Sequence, residues 1–339
     1  MSDKKAILTL EHVSKEYTGS AKLFKKAPPS VKAVSDVSFS VNEGETFGIV
    51  GESGCGKTTL GKCIVRLHPP TAGKMWYDDD GRKLDLMQLD QDESFRLRQK
   101  LQIIFQDPYA SLNPMHNILE AFDEPLRVHR LGSREQRREK IAEMLREVNL
   151  QPDYMYRYPG EFSGGQRQRI CIAKALAMQP RLIVCDEPVS ALDVSIQAQI
   201  MNLMRRLQRD YKLTYVFIAH DLSVVQYMSD RIAVMYLGKV VEISKSEGLH
   251  TDYRHPYTES LLSAVPIPIY GQKQKRIILE GDVPSPLHPP TGCKFHPRCR
   301  RCMEVCRHVE PTLRPVGTDG HMVACHLYHE PEEIPPKNE

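Results

Sequence analysis

An eight-residue glycine-rich segment, Gly51-Glu52-Ser53-Gly54-Cys55-Gly56-Lys57-Thr58, limits this chain to a narrow set of folds. It matches the pattern G-x-x-x-x-G-K-[ST], which has its meaning between a strand and a helix. The apolar stretch Thr46 to Val50 precedes it, and a helix-like stretch begins near Thr59. Glycines let successive backbone N–H groups turn toward phosphate oxygens, and the positive end of the helix adds to the attraction. The segment therefore predicts a nucleotide phosphate site.

Two side chains of this segment have specific expected roles. Lys57 is expected to bridge the β- and γ-phosphates of ATP, and the Thr58 hydroxyl to ligate Mg²⁺. Cys55 also permits a redox interpretation, because a thiol at a helix N-terminus can have a lowered pKa; the simpler interpretation is a small residue that points away from the phosphates. The predicted nucleotide contacts in this segment are Gly51, Ser53, Gly54, Cys55, Gly56, Lys57, Thr58 and Thr59.

A second apolar run, Leu182 to Cys185, ends in two carboxylates, Asp186 and Glu187. Ligands meet an open α/β sheet at the carboxyl ends of its strands. We expect Asp186 to hold Mg²⁺, directly or through water, and Glu187 to polarise the attacking water. The alternative is an acidic pair that caps a helix, which Pro188 just after it would permit; together with the phosphate segment, a catalytic pair is the better interpretation.

The composition fits one large α/β domain with an appendage: 339 residues, 41% hydrophobic and 26% charged. A net charge of +3 is too balanced to indicate nucleic-acid binding. No apolar run approaches the roughly 20 residues of a membrane span, and the N-terminus has no signal-peptide pattern. Short apolar stretches alternate with helical spacing and predict a mostly parallel sheet covered on both faces. They are Thr46 to Val50, Leu182 to Cys185, Leu213 to Ala219 and Ile232 to Tyr236, with helices around Ile141 to Val148 and Ile196 to Leu207.

The segment Phe162 to Gln168 separates this chain from other phosphate-binding proteins. Ser163 and Gln166 fit a capping box that opens a helix. The pair Gly164 and Gly165 at that helix start leaves backbone donors exposed, which suits a second phosphate site. One chain with one phosphate-binding loop has no need of two such sites, whereas two chains packed head to tail would need both.

With these motifs the sequence resembles the ATP-binding subunits of ABC transporters. Tyr17 matches the aromatic that stacks on adenine, Gln106 the glutamine loop, Ser190-Ala191-Leu192-Asp193 the loop that crosses the dimer, and His220 the switch histidine. The resemblance implies that two domains hold two ATP molecules between them, each between one subunit's phosphate loop and the other's Ser163 segment. It also implies that Gln106 senses the γ-phosphate and Mg²⁺, and that His220 aligns the γ-phosphate with the attacking water.

The resemblance implies a P-loop NTPase fold with a mostly parallel core, an antiparallel β subdomain and a helical subdomain at about 107–180. We place the ATPase domain at residues 1–250, a loop-rich appendage without helical periodicity at 251–330, and a disordered tail at 331–339. The basic loop 19–32 is expected to be a solvated connection. The appendage begins where prolines become frequent, at Pro256, Pro266, Pro268, Pro284, Pro286, Pro289 and Pro290.

Three stretches resemble the oligopeptide and dipeptide permease ATPases, closest to the F-type subunit: Tyr158 to Phe162, Val189 to Gln197, and His255 to Thr258 with Ala264 to Pro266. This branch implies import at the cytoplasmic face of the membrane. The implied partners are a second, related ATPase in a heterodimer, two transmembrane permease subunits and an extracellular or periplasmic peptide-binding protein. Nickel or another small solute is an alternative substrate. A non-transport ABC ATPase in translation or DNA repair is the alternative of another class.

Four cysteines of the appendage, Cys293, Cys299, Cys306 and Cys325, suit a [4Fe–4S] cluster or zinc. Related peptide-transporter subunits are thought to hold an iron–sulfur cluster in this arrangement. Cys302 is an additional thiol that forms a Cys-x-x-Cys with Cys299 and favours zinc; a site without metal is the third alternative. The neighbouring histidines are expected to lie at the surface: His296, His308, His321 and His326.

Overall fold

The computed structural model describes residues 5–18, 30–265, 277–318 and 320–329. Strands and α-helices alternate along much of this length. The strands are β1 (Ala6–Tyr17), β2 (Val31–Asn42), β3 (Thr46–Val50), β4 (Ala72–Asp79), β5 (Arg82–Asp85), β6 (Leu101–Ile104), β7 (Leu182–Asp186), β8 (Thr214–Ala219), β9 (Arg231–Tyr236), β10 (Lys239–Lys245), β11 (Arg314–Pro315) and β12 (Met322–Val323). The helices are α1 (Lys57–Ile64), α2 (Gln91–Lys100), α3 (Ile118–Val128), α4 (Arg134–Glu147), α5 (Gly164–Ala177), α6 (Val194–Tyr211), α7 (Leu222–Met228), α8 (Pro256–Ser263) and α9 (Val305–His308).

The larger sheet has the strand order β11-β12-β10-β9-β3-β8-β7-β6. Its central strands β9, β3, β8, β7 and β6 are parallel to their neighbours, and β10 continues the sheet antiparallel to β9. All residues of β3, β7 and β8 are buried. Strands covered on both faces are continuously apolar, so the predicted mostly parallel core is confirmed.

The smaller sheet is antiparallel, in the order β2-β1-β4-β5, and its inner face packs on the larger sheet. Phe39 of β2 stacks on Phe47 of β3 with ring centroids 4.7 Å apart. Leu60 and Ile64 of α1 close the same apolar layer. Because α1 lies against this layer, its N-terminus and the loop before it are held beside the ends of the central strands.

The amphipathic helices predicted around Ile141 and Ile200 are present as α4 and α6. Their apolar positions, including Met144, Leu145 and Leu203, are buried in one core with α3 and α5. Capping boxes at Asn117, Ser133 and Ser163 begin α3, α4 and α5. No helix among the described residues is both long enough and apolar enough to cross a membrane.

The expected appendage contains more regular structure than its proline content suggests. The expectation that helical periodicity ends beyond His255 is wrong, because α8 begins there with Pro256 at its first position, where a missing N–H costs nothing. Residues 314–323 add β11 and β12 to the larger sheet, with Met322 opposite Ile243 of β10. The boundary at residue 250 stays a prediction.

Some expected features lie outside the described residues: most of the loop 19–32, Pro266 and Pro268, and the tail 331–339. Lys32 is described, and it belongs to β2 rather than to a solvated loop.

Candidate functional site

Five parallel strands of the larger sheet end at one cavity of about 490 Å³. The phosphate-binding loop follows β3, and residues just after β6, β7, β8 and β9 form much of the remaining wall. This arrangement follows from the parallel direction of the strands, which brings their carboxyl ends to one edge. The predicted residues that line the cavity are Ser53, Gly54, Gly56, Lys57, Thr58, Thr59, Gln106, Glu187 and His220.

The Lys57 ammonium is held by the backbone of its own loop. Its Nζ donates to the carbonyl oxygens of Gly51 at 2.7 Å and Glu52 at 3.0 Å, and Lys57 is 5% exposed. A buried cation that lines a cavity and is hydrogen-bonded by neutral carbonyl oxygens is ready to meet an anion. The geometry thus suits the phosphate contact that the sequence predicts.

Gly56 shows why this loop needs glycine at that position. Its φ is +104°, and a Cβ there would lie 2.0 Å from the carbonyl oxygen of Ala33. The loop and β2 therefore approach each other at backbone distance, which no other residue permits.

Thr58 and Asp186 meet beside the loop. The Thr58 Oγ1 donates to Asp186 Oδ1 at 2.9 Å. Burial raises the pKa of Asp186, although the hydrogen bond from Thr58 opposes this rise. A hydroxyl and a buried carboxylate that lie together are oxygen donors of the kind that Mg²⁺ prefers.

Glu187 connects the glutamine and the histidine predicted for the site. Its Oε2 accepts from Gln106 Nε2 at 3.0 Å and lies 3.0 Å from His220 Nδ1. Its backbone has a φ of +48°, and its N–H donates to the Ile218 carbonyl at 2.9 Å. A left-handed conformation is costly for a glutamate. Glu187 lines the cavity. The pair Asp186 and Glu187 does not cap a helix, since α6 begins only at Val194.

Cys55 is buried within the loop, with its Sγ 3.8 Å from Lys57 Nζ. Burial raises the pKa of this thiol, and the proximity of Lys57 only partly opposes the rise. The structure thus offers no support for a reactive thiolate at this helix start.

Some predicted residues do not line the cavity: Gly51, Cys55 and Asp186, which belong to the loop or contact it, and two groups on other elements, Tyr17 and the Ser163 segment. Tyr17 is not among the lining residues, although it pairs with Val31, which is. The Ser163 group is also absent from the lining; Ser163 Oγ accepts from the Gln166 N–H at 3.3 Å, as the capping box predicts. Gly164 and Gly165 form the first turn of α5 behind this cap. Within one chain the two predicted phosphate sites are thus separate.

Several cavity residues carried no signal in the sequence: Val31, Lys32, Ala33, Leu237, Gly238 and Pro286. Gly238 is held against the phosphate loop, since its N–H donates to the Cys55 carbonyl at 2.8 Å and its own carbonyl accepts from Ser35 at 2.8 Å. Pro286 comes from the appendage, where the sequence marks it only as one of many prolines. Tertiary packing alone brings these residues to the site.

The four predicted metal-ligating cysteines come together but not at metal-binding separation. Cys293 and Cys299 are half-buried, and Cys306 and Cys325 are buried. Burial raises the pKa of Cys293 to about 12, and its three companions contribute further to that rise. Within the described ranges, no three His, Cys, Asp or Glu side chains are grouped tightly enough to hold a metal ion.

The expectation that the nearby histidines all lie at the surface is wrong for His321. This residue is 3% exposed, and its Nε2 lies 2.7 Å from the buried Glu242 Oε1. His308 is exposed, and His296 and His326 are half-buried. Glu242 also accepts from the backbone N–H groups of Arg254 and His255. The buried carboxylate explains why a histidine of the appendage is drawn inside.

Two family models match the chain. That of the ABC transporter covers residues 34–190, and that of the oligopeptide/dipeptide transporter C-terminal region covers residues 241–306. The first match contains the phosphate loop, Gln106, the Ser163 group and Glu187. The second includes α8 and three of the four cysteines, so the appendage too has relatives of its own kind.

Individual proteins extend these matches to nearly the full length. The chain is 51% identical over 306 residues to the putative oligopeptide transport ATP-binding protein YkfD of Bacillus subtilis (strain 168), covering 89% of this chain and 92% of that protein. It is 47% identical over 330 residues to the oligopeptide transport ATP-binding protein AppF of the same organism, covering 96% and 99%. A dimeric structure of the bacterial ABC transporter cassette MJ0796 has a TM-score of 0.61 and 32% identity, over 70% of this chain and 98% of that one. The chain thus belongs to the ABC transporter ATP-binding proteins, in the group with the oligopeptide/dipeptide transporter C-terminal region.

Proposed function

We propose that this chain is the ATP-hydrolysing subunit that energises an ABC importer of oligopeptides or dipeptides. The observation that carries the proposal is the contact of Gln106 and His220 with one Glu187 oxygen, at the cavity that the Lys57 loop opens. The relatives named as oligopeptide transport proteins supply the substrate class.

In this proposal, Glu187 accepts a proton from the water that attacks the γ-phosphate. Gln106 and His220, which hold its Oε2 from two sides, keep the carboxylate oriented and position the water. Lys57 exchanges its carbonyl partners for phosphate oxygens, where its charge opposes the negative charge that develops during transfer.

Mg²⁺ would be held by Thr58 and Asp186, with Gln106 nearby. The hydroxyl and carboxylate donors already lie together, which fits a hard cation. When bound, the ion would neutralise charge on the β- and γ-phosphates. Asp186 must be ionised for this purpose, so its raised pKa implies weaker Mg²⁺ binding in acid.

The separation of the Ser163 group from the cavity supports a composite site. Ser163, Gly164, Gly165 and Gln166 would close the ATP site of a second, related ATPase subunit, and the partner's corresponding segment would close this one. Tyr17, at the end of β1 beside Val31, would stack on the adenine. Two permease subunits and an external peptide-binding protein would complete the importer, with this chain at the cytoplasmic face of the membrane.

We further propose that Cys293, Cys299, Cys306 and Cys325 hold a [4Fe–4S] cluster, with zinc as the alternative. The four thiols share one electrostatic environment, and thiolates are the ligands of both groups. Burial raises the pKa values of Cys293, Cys299 and Cys325, so a bound cation would have to compensate the charges of these thiolates. The cluster's role would be structural, because the cysteines lie outside the ATP cavity.

Anaerobic purification from cells with intact cluster assembly, followed by iron, sulfide and zinc analysis, tests this site. We expect about four irons and four sulfides per chain, loss of both in Cys306→Ser, and retention in the matched control Cys302→Ser. Stoichiometric zinc in place of iron would establish the alternative. A colourless protein free of both metals would contradict a metal site.

Uptake of a labelled short peptide tests the function, with labelled nickel as a parallel substrate. Cells that lack the gene are complemented with wild type or Lys57→Ala. We expect peptide uptake to be lost in the deletion and restored only by wild type. If the deletion cells still take up peptide but no longer take up nickel, the transported substrate is nickel. Intact uptake of both would leave a non-transport ATPase as the remaining class.

A further inference from the structure

Arg298, which precedes Cys299 in the appendage, contacts the phosphate-binding loop. Arg298 Nη1 donates to Glu52 Oε2 at 2.8 Å, and its Nη2 donates to Glu52 Oε1 at 3.2 Å. The side chains are 8% and 26% exposed. Two parallel bonds between a guanidinium and a carboxylate fix orientation as well as distance. The pair therefore ties two parts of the chain that are 246 residues apart in sequence.

Glu52 is a junction of the contacts within the loop. Its carbonyl oxygen accepts from Lys57 Nζ at 3.0 Å and from the Cys55 N–H at 3.3 Å. Its own N–H donates to Tyr257 Oη at 2.9 Å. A displacement of Glu52 would therefore move an acceptor of Lys57 and the first turn of the loop together.

Arg298 is itself firmly positioned. It ends a short 3₁₀ turn, His296–Arg298, that follows Phe295, a residue 1% exposed. The Phe295 ring packs against Tyr236 and Tyr257 at centroid distances of 5.2 and 5.3 Å. Burial disfavours the charge of Arg298, but its hydrogen bonds to Glu52 and Tyr236 outweigh this effect and raise its pKa. The arginine thus stays charged and cannot swing away easily.

We propose that Arg298 is a positioning residue for ATP binding, which acts through Glu52 to hold the phosphate loop in the conformation that receives the phosphates. The inference rests on the proposed ATPase function. Neither Arg298 nor Glu52 lines the cavity, so neither touches the nucleotide there. Without the pair, the loop must become ordered when ATP binds. The apparent affinity for ATP then falls in proportion to the fraction of molecules whose loop is already in the binding conformation. Glu187 and His220 follow other strands, β7 and β8, so we expect the rate of the chemical step to change little.

Steady-state ATP hydrolysis by the complete reconstituted transporter tests this role. We expect Arg298→Gln and Glu52→Ala each to raise the KM for ATP about tenfold, with kcat within about twofold of wild type. The double variant should be no worse than either single variant, because both remove one interaction. Arg298→Lys should give an intermediate KM, since it keeps the charge without the fork. Arg300→Gln is the matched control, since Arg300 is exposed and bonds the Ile278 carbonyl, and we expect its KM to be that of wild type.

A wild-type KM in folded Arg298→Gln would overturn the proposal, as would KM effects that add in the double variant. If Arg298→Gln does not fold, Arg298→Lys decides: a KM equal to that of wild type would contradict a need for the bidentate pair. A merely structural role would lower the thermal stability of the variants and leave KM unchanged. Absence of hydrolysis by the wild-type transporter would instead break the proposed function, so the two failures are distinguishable.

Discussion

Around the phosphate-binding loop, Gln106, Glu187 and His220 follow the ends of parallel strands, whereas the four cysteines come from segments with little regular structure. The strands β7 and β8 are wholly buried. Glu187, just after β7, lies within hydrogen-bonding distance of Gln106 after β6 and of His220 after β8. The cysteines share electrostatic effects but lie in no tight group of three within the described chain. A sheet can thus fix the positions of side chains before a ligand arrives, whereas the cysteine segments leave their thiols farther apart than metal ligands.

The two regions are nevertheless joined at several points, of which three bear on the cavity and the sheet. Arg298 contacts Glu52, Pro286 reaches the ATP cavity, and β12 pairs with β10 of the central sheet. The appendage therefore packs against the ATPase core at these contacts. Substitutions in the cavity and in the appendage can test the difference between the two regions.

The largest expected effect is in the preformed site. Glu187→Gln should lower kcat for ATP hydrolysis by about a thousandfold, or ~4 kcal/mol, because an amide cannot accept the proton of the attacking water. The Kd for MgATP should stay near that of wild type, since Lys57 and Thr58 are untouched. Retained steady-state hydrolysis in this variant would remove Glu187 as the base.

An intermediate effect is expected in acid, at the attachment of the appendage. His255 is 1% exposed, next to Glu242, and burial lowers its pKa to about 4. An unfolded histidine takes up its proton near pH 6.5, so the stability gained by the neutral form is present above that pH. It is lost as pH falls toward 4, by roughly 3 kcal/mol of unfolding free energy.

Denaturant unfolding from pH 7 to pH 4 measures this loss. The matched variant is His255→Asn, because asparagine can also accept from the Tyr257 N–H at the start of α8. Its unfolding free energy should depend less on pH than that of wild type. Equal slopes in the two proteins would mean that His255 does not titrate on unfolding.

A smaller effect is expected where the loop meets β2. Gly56→Ala should reduce the unfolding free energy by about 2 kcal/mol, since its φ is +104° and its Cβ would clash with the Ala33 carbonyl. Gly160→Ala is the control, because nothing lies within 4 Å of its Cβ position. Thermal unfolding of both variants makes the comparison. Equal melting temperatures would contradict the close approach of loop and strand.

The sequence indicates which residues meet at the cavity because its signals there are local. Each signal can be recognised within a few adjacent residues: the glycines of the loop, the two carboxylates after an apolar strand, and the Ser163 capping box. The parallel sheet follows from the same logic, since strands that are buried on both faces must be apolar throughout.

The rest depends on contacts between distant residues. Nothing near Arg298 indicates that its partner is Glu52, and nothing near Pro286 indicates a place in the ATP cavity. His321 resembles a surface histidine until Glu242 of β10 is placed beside it. The helix α8 is not predicted from the sequence, because the proline at its first position also fits a loop.

The most direct test of the central claim is the ATP hydrolysis rate of the reconstituted importer with and without its peptide-loaded binding protein. If the chain energises peptide import, the rate should rise when the loaded binding protein is added and should vanish in Lys57→Ala. If the hydrolysis rate does not change when the permease, the binding protein and the peptide are present, the result would contradict coupling of this ATPase to peptide transport.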